Sequence, residues 1–242
     1  MQLSYSFTFT PGAPLIKSRV ESAPQQPGPN LQDCPSLIDV GDRKVQVLLN
    51  MELPRVVLFG GLLSDDECES LIAFAKSKGL KPSNVVASAG SGEERHEART
   101  SEGMYFQRAE NALIQRIDAR IARLLRWPVD HAEGLQILHY RAGAQYRPHY
   151  DYFLPELPST PETVARGGQR VGTLIMYLND VEAGGATVFP DVGLSILPRR
   201  GEALFFGYDR PDPATRTLHG GAPVVAGDKW IATKWLRERP YV

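Results

Sequence analysis

At 242 residues, with 42% hydrophobic and 23% charged residues, the chain has the size and composition of a soluble globular domain, or of one domain with an arm. A formal net charge of −1 gives no electrostatic reason to expect bulk binding to nucleic acid or to an anionic membrane. The two cysteines, Cys34 and Cys68, lack metal spacing and make no disulfide framework, and no run of roughly 18 apolar residues suggests a membrane span, so a cytoplasmic protein of bacterial style is the expectation.

Residues 10–36 carry Pro11, Pro14, Pro24, Pro27, Pro29 and Pro35 with few large apolar groups, the texture of an arm or linker. The division this suggests is an N-terminal arm over 1–36 and a single domain over 37–242. KVQVLLNMEL and RVVLFG then read as strands. In SDDECESLIAFAKSKG, Ser64 and Glu67 form a capping box, and Cys68, Leu71, Ile72 and Ala75 share one helical face that makes Cys68 a core residue. Gly79 is the stop, with Lys76 and Lys78 at the negative end of the dipole. A second helix runs through ENALIQRIDARIARLLRW on the stripe Leu113, Ile114, Ile117, Ile121, Leu124 and Leu125, and Pro128 closes it. From Gly134 onward, LQILHY, TLIMYLN, ATVFP, EALFFGY and KWIATKW are short segments between Gly and Pro turns. That is the pattern of an antiparallel sandwich or barrel, so the fold class is α+β, mainly β, with the helices packed on one sheet. Long polar connections at 87–103, 154–170 and 208–218 are candidates for lids or binding loops.

In YRAGAQYRPHYDYF, His149 and Asp151 are two apart in an extended segment, so both side chains leave the same face of a strand. An isolated H-x-D is common by chance. His219, in TLHGGAPVV, precedes a glycine turn on a distant strand that hairpin pairing could bring into register. His96 and His131 read as solvated, and His139 points to the strand face opposite Tyr140. Two histidines and one carboxylate are the donor set of non-haem Fe(II) oxygenases, though zinc accepts the same ligands. Iron is favoured by Lys229, ten residues beyond His219 in GDKWIATKW, which shares a face with Ile231, Thr233 and Trp235. An inward lysine needs an anion, and a dicarboxylate chelating iron by its other end would supply one. Alternation puts Lys229 and Lys234 on opposite faces, so only one of them can be outside.

Together, YRAGAQYRPHYDYF, GGQRVGTLIMYLNDVEAGGATVFP and LHGGAPVVAGDKWIATKWL resemble the prolyl 4-hydroxylases of the Fe(II)/2-oxoglutarate dioxygenase superfamily, over roughly residues 54–239. The resemblance implies a double-stranded β-helix, or jelly roll, with Fe(II) on His149, Asp151 and His219. It implies Lys229 on the far carboxylate of 2-oxoglutarate, with Tyr140 and Thr173 as further cosubstrate contacts. Arg99, Tyr146, Arg170 and Trp235 match positions that face a peptide or close the pocket. The implied reaction consumes O2 and 2-oxoglutarate, hydroxylates C4 of a proline in a peptide or protein, and releases succinate and CO2, with ascorbate as a candidate reductant. Loops 87–103 and 154–170 are expected to close over the cleft. Arg237 stands where many relatives have histidine and Tyr105 where several have tryptophan, both near the cleft. These departures keep open a free amino acid, a lysyl side chain or a small metabolite as substrate. A non-catalytic jelly-roll module is the third reading, against which the triad with Lys229 speaks. Oligomeric state is not legible.

Overall fold

A computed structural model describes residues 26–83 and 99–241, and its antiparallel strands close into a jelly roll backed by helices. Three strands, β1 (Leu37–Asp39), β2 (Lys44–Met51) and β3 (Arg55–Gly60), precede helix α1 (Asp65–Lys78). Strands β4 (Lys81–Pro82) and β5 (Glu102–Phe106) lead to helix α2 (Ala112–Leu125). Beyond it come β6 (Leu135–Tyr140), β7 (Tyr146–His149), a short α3 (Thr160–Ala165) and β8 (Arg170–Tyr177). Four short strands follow: β9 (Ala183–Gly184), β10 (Thr187–Phe189), β11 (Leu194–Ile196) and β12 (Ala203–Gly207). The chain finishes on β13 (His219–Gly221), β14 (Val224–Ala226) and β15 (Lys229–Arg237). The large sheet has the order β1-β2-β3-β12-β8-β15-β6-β5-β4, the small one β11-β10-β13-β7, and β9 pairs with β14.

Local signals set the helix limits. Ser64 accepts from Glu67 N while the Glu67 carboxylate takes Ser64 N, and the Gly79 amide returns to Lys76 O. α2 starts on the Asn111 side chain, which accepts from Ile114 N, and ends with Arg126 in the left-handed region ahead of Pro128. The two helices cover the outer face of the large sheet: Cys68, Leu71, Ile117 and Ile121 pack on Phe59, Leu174, Met176 and Ala232. A second apolar layer lies between the sheets, where Leu138, Ile175, Tyr177, Phe189, Phe206 and Ile231 meet. Strand alternation therefore sends neighbouring residues of β8 and β15 into different layers, and all nine residues of β15 are buried.

That double burial extends to the two lysines of β15. Neither Lys229 nor Lys234 is outside: Lys234 is 1% exposed and reaches Asp118 on α2 at 2.7 Å. The two lysines do lie on opposite faces, but the outer face is roofed by a helix that supplies the counter-ion. Arg120 of α2 likewise meets Glu67, the capping residue of α1, at 2.8 Å.

A correction concerns the arm. Pro27, Gly28 and Pro29 are buried, with Gly28 N donating to Leu125 O at 2.7 Å and Arg126 Nε to Gly28 O at 3.2 Å. The Arg55 guanidinium fills the place a Cβ at 28 would take, so the boundary drawn at residue 36 falls inside a packed segment. Residues 1–25 of the arm lie outside the described residues, as do His96 and most of the loop at 87–103. The 154–170 connection is not a featureless loop either, since it contains α3 and is closed at its neck by Phe153 N to Gln169 Oε1 at 2.7 Å and Gln169 Nε2 to Phe153 O at 2.8 Å. Among the described residues no helix is long and apolar enough to cross a membrane.

Candidate active site

β7 and β13 pair antiparallel with His149 directly opposite His219, and Asp151 follows two residues on. A Cβ at position 220 would lie 2.8 Å from Tyr146 O, so the backbones come this close only because Gly220 has none. The three side chains offer ligand atoms within 4.8 Å of one another. His149 Nδ1 sits 2.9 Å from Arg147 O, and His219 Nδ1 2.9 Å from Thr217 O. A carbonyl can only accept, so each Nδ1 carries the proton and each Nε2 lone pair faces the shared centre.

Asp151 Oδ1 is 3.5 Å from His149 Nε2 and Oδ2 is 3.6 Å from His219 Nε2. Burial would raise its carboxyl, but the His219 and His149 rings and Arg170 outweigh burial and hold it well below the usual carboxylate range. Burial, aided by His149, pushes His219 down to about 4. A carboxylate and two imidazoles, each turning Nε2 toward one centre, suit a divalent transition metal. Fe(II) fits this donor set; so, on donors alone, would zinc.

The neighbouring cation separates the two. Lys229 opens β15 opposite Tyr140 of β6 and is 3% exposed. Its Nζ donates to Gly185 O at 2.6 Å and lies 5.6 Å and 5.9 Å from the Tyr140 and Tyr177 rings, with no carboxylate beside it among the described residues. Burial pushes its ammonium down to about 8. The cavity it lines also receives Ile231, Thr233 and Trp235, the face expected from alternation, together with Tyr140 and all three members of the triad. An anion reaching from the triad would find the ammonium there.

Thr173 is placed differently from the expectation. It is fully buried, does not line the cavity, and donates its hydroxyl to Asp151 Oδ2 at 2.7 Å. Having only one proton to give, it must accept from Tyr208 OH, 3.0 Å away. It holds the carboxylate, whereas Thr187 of β10 lines the cavity. Tyr177 OH donates to Thr187 Oγ1 at 2.9 Å, which leaves the threonine proton free to point inward. The signal for Thr187 was present, as the one polar residue of the buried TVF strand, but which of two strand threonines faces the cavity depends on the register between sheets.

Outside the triad the cavity opens into a groove lined by Tyr105, Tyr146, Tyr150, Tyr152, Phe153, Leu154 and Trp235, with Arg99 and Arg170. Tyr146 stacks on His149 at 3.7 Å, and Arg99 lies over Tyr146 at 4.7 Å. Arg170 sits 4.1 Å above the Trp235 ring, and Trp235 Nε1 is buried with no hydrogen-bond partner among the described residues. Behind them stands a residue that sequence reasoning passed over, Glu133, which takes Arg170 in a fork at 2.8 and 3.0 Å and Arg237 at 2.9 Å. Arg237 is 2% exposed and also donates to Gly168 O at 3.0 Å and Thr163 O at 2.9 Å. It braces the groove wall from behind and does not open onto the cleft. His139 stacks on Trp230 at 4.0 Å, on the side away from the site as expected.

Residues 135–237 match the family model of the 2OG-Fe(II) oxygenase superfamily. The chain is 41% identical over 222 residues to probable prolyl 4-hydroxylase 3 of Arabidopsis thaliana, spanning 83% of this chain and 75% of that protein. Prolyl 4-hydroxylase 5 of the same plant is 41% identical over 217 residues, 81% of this chain and 72% of that one. Among solved structures, the viral collagen prolyl hydroxylase of Paramecium Bursaria Chlorella virus-1, in its 2OG complex, superposes with a TM-score of 0.57 at 32% identity over 75% of this chain and 95% of that chain.

Proposed function

Because the chain belongs to the prolyl 4-hydroxylases of the 2OG-Fe(II) oxygenase superfamily, and is thus a 2-oxoglutarate-dependent dioxygenase, we propose that it hydroxylates C4 of proline in a peptide or protein. Fe(II), O2 and 2-oxoglutarate together supply the oxidant that turns C–H into C–OH, with succinate and CO2 released. The chain's own part is to bind, orient and exclude water.

His149 and His219, each with Nδ1 tied to a carbonyl, would hold iron with Asp151, whose carboxylate Thr173 keeps from rotating. Lys229 would pair with a carboxylate of 2-oxoglutarate in the cavity that Thr187 and Tyr140 also line. The aromatic groove suits an extended proline-containing chain, with the unpaired Trp235 Nε1 as donor to a backbone carbonyl and Tyr146, Arg99 and Arg170 flanking it. One observation carries the reading: a buried ammonium without a carboxylate, lining the same cavity as two imidazoles and an acid. A module that merely held a metal would have no use for it. The departure at Arg237 leaves the groove lining untouched, because that side chain lies behind the wall.

The test is mass spectrometry of proline peptides incubated with enzyme, Fe(II), 2-oxoglutarate and O2. A gain of one oxygen on proline, matched by succinate and absent in His149→Ala, is expected. Succinate formed with no oxygen appearing on any proline peptide would overturn the proline assignment.

A further inference from the structure

Pro27, Gly28 and Pro29 fasten the N-terminal arm to the domain close to the groove. The Pro27 ring lies against Gly172 of β8, its Cγ 3.4 Å from where a Cβ at 172 would stand. Phe205, of the outer apolar layer, crowds the same spot, so Pro27 sits on the outer face of the large sheet. Gly172 stands between Arg170, which lines the groove, and Thr173, which holds Asp151 from the inner face. The anchor is therefore one sheet layer away from the metal ligands, and residues 1–25, which lie outside the described residues, are tethered there.

The sequence of that segment suits what lines the groove. Residues 1–16 contain no Asp, Glu, Lys or Arg, and they carry Tyr5, Phe7, Phe9, Pro11, Pro14 and Leu15. The groove wall is aromatic, built from Tyr105, Tyr146, Tyr150, Tyr152, Phe153 and Trp235. An uncharged, aromatic, proline-bearing segment enters such a groove without stripping water from a charge. Reach then sorts the prolines. Pro24 is three residues from Pro27, roughly 10 Å of chain, too little to round the end of a sheet layer about 10 Å thick. Pro14 and Pro11 are 13 and 16 residues from Pro27, roughly 40 and 50 Å at full stretch, which is ample. A tether of this kind sets an effective concentration of about 1 mM, about 100-fold above a protein solution of about 10 μM.

We propose that the groove takes residues 5–16 of its own chain, and that the enzyme hydroxylates the reachable prolines, Pro11 and Pro14, in cis. Each event puts one atom of O2 into a proline C4–H bond and the other into succinate, as 2-oxoglutarate loses CO2. Proline and the keto acid give up two electrons each, and O2 takes up four. The inference rests on the proline reading above and goes beyond it, by assigning a modification site on the enzyme itself.

The experiment expresses the full chain in iron-depleted medium, so that the arm starts unmodified, and then supplies Fe(II), 2-oxoglutarate and O2 with no added peptide. Tryptic cleavage after Lys17, Arg19 and Arg43 separates the reachable prolines, in fragment 1–17, from Pro24, Pro27 and Pro29 in fragment 20–43. Mass spectrometry should show oxygen on Pro11 and Pro14, placed there by fragment ions and not on Met1, and only when 2-oxoglutarate is present. Oxygen on one of the two is enough to put the arm in the groove. Fragment 20–43 should gain none on its prolines. Reaction within one chain is first-order, so diluting the protein about 100-fold should leave the fraction modified at a given time unchanged within about twofold. A parallel incubation adds a separate proline peptide. If that peptide is hydroxylated while Pro11 and Pro14 stay unmodified, the inference is overturned and the proline reading stands. Oxygen on a proline of fragment 20–43 breaks the reach argument, and a modified fraction that falls in proportion to dilution makes the reaction intermolecular; either result overturns the inference too. If neither peptide nor arm gains oxygen on proline, the proline reading falls and takes this inference with it.

Discussion

Replacing Lys229 by methionine should make the protein more stable and useless at once. The wild-type ammonium is buried with only the Gly185 carbonyl for a partner, and burial moves its pKa from 10.5 to about 8. That difference of roughly 2.5 pH units corresponds to about 3 kcal/mol of cost for keeping the charge inside. Because the folded pKa lies below the unfolded one, the full cost is present below about pH 8 and fades as the pH rises toward 10.5. Methionine matches the stem, removes the charge, and forfeits one hydrogen bond worth about 1 kcal/mol. Lys229→Met without cosubstrate should therefore be about 2 kcal/mol more stable than wild type at pH 7. Denaturant unfolding from pH 7 to 10.5 reads this, with the gap closing as wild type sheds its proton. Added 2-oxoglutarate should raise wild-type stability and leave the variant unmoved. A variant less stable than wild type at pH 7, by an amount independent of pH, would refute the claim that Lys229 is an unpaired charge awaiting an anion.

Thr173→Val removes the proton given to Asp151 and strands Tyr208 OH; anaerobic titration with Fe(II) or Co(II) should show affinity about 10- to 100-fold weaker, with Thr173→Ser near wild type. Glu133→Gln frees both Arg170 and Arg237, so the KM for peptide should rise several-fold while cosubstrate affinity holds, measured by succinate release. Asp118→Leu or Lys234→Met alone leaves a buried charge unpaired and should cost about 3–5 kcal/mol in chemical denaturation, whereas the double variant should be close to wild type.

The parts legible in the chain were those governed by local periodicity. The Ser64–Glu67 box, the α2 stripe and the shared face of Lys229, Ile231, Thr233 and Trp235 all follow from spacings of a few residues, and the structure keeps each of them. His149 and Asp151 were readable for a similar reason: they are two apart where an extended segment ends, His149 closing β7 and Asp151 just beyond it. Their meeting with His219 needs a register that no local spacing supplies, and the pairing of β7 with β13 provides it.

What the residues settled by themselves is the chemistry on offer: which side chains share a face, where helices begin and end, and that an inward lysine calls for an anion. Which face is inside, and what waits there, was decided by packing. Lys234 is buried because α2 roofs the outer layer and brings Asp118 to it; Thr173 serves Asp151 while Thr187 faces the cavity; Pro27 to Pro29 join the domain through the end of α2. Each of these outcomes turns on partners far away along the chain, and a charge or hydroxyl takes its role from whichever partner the fold delivers.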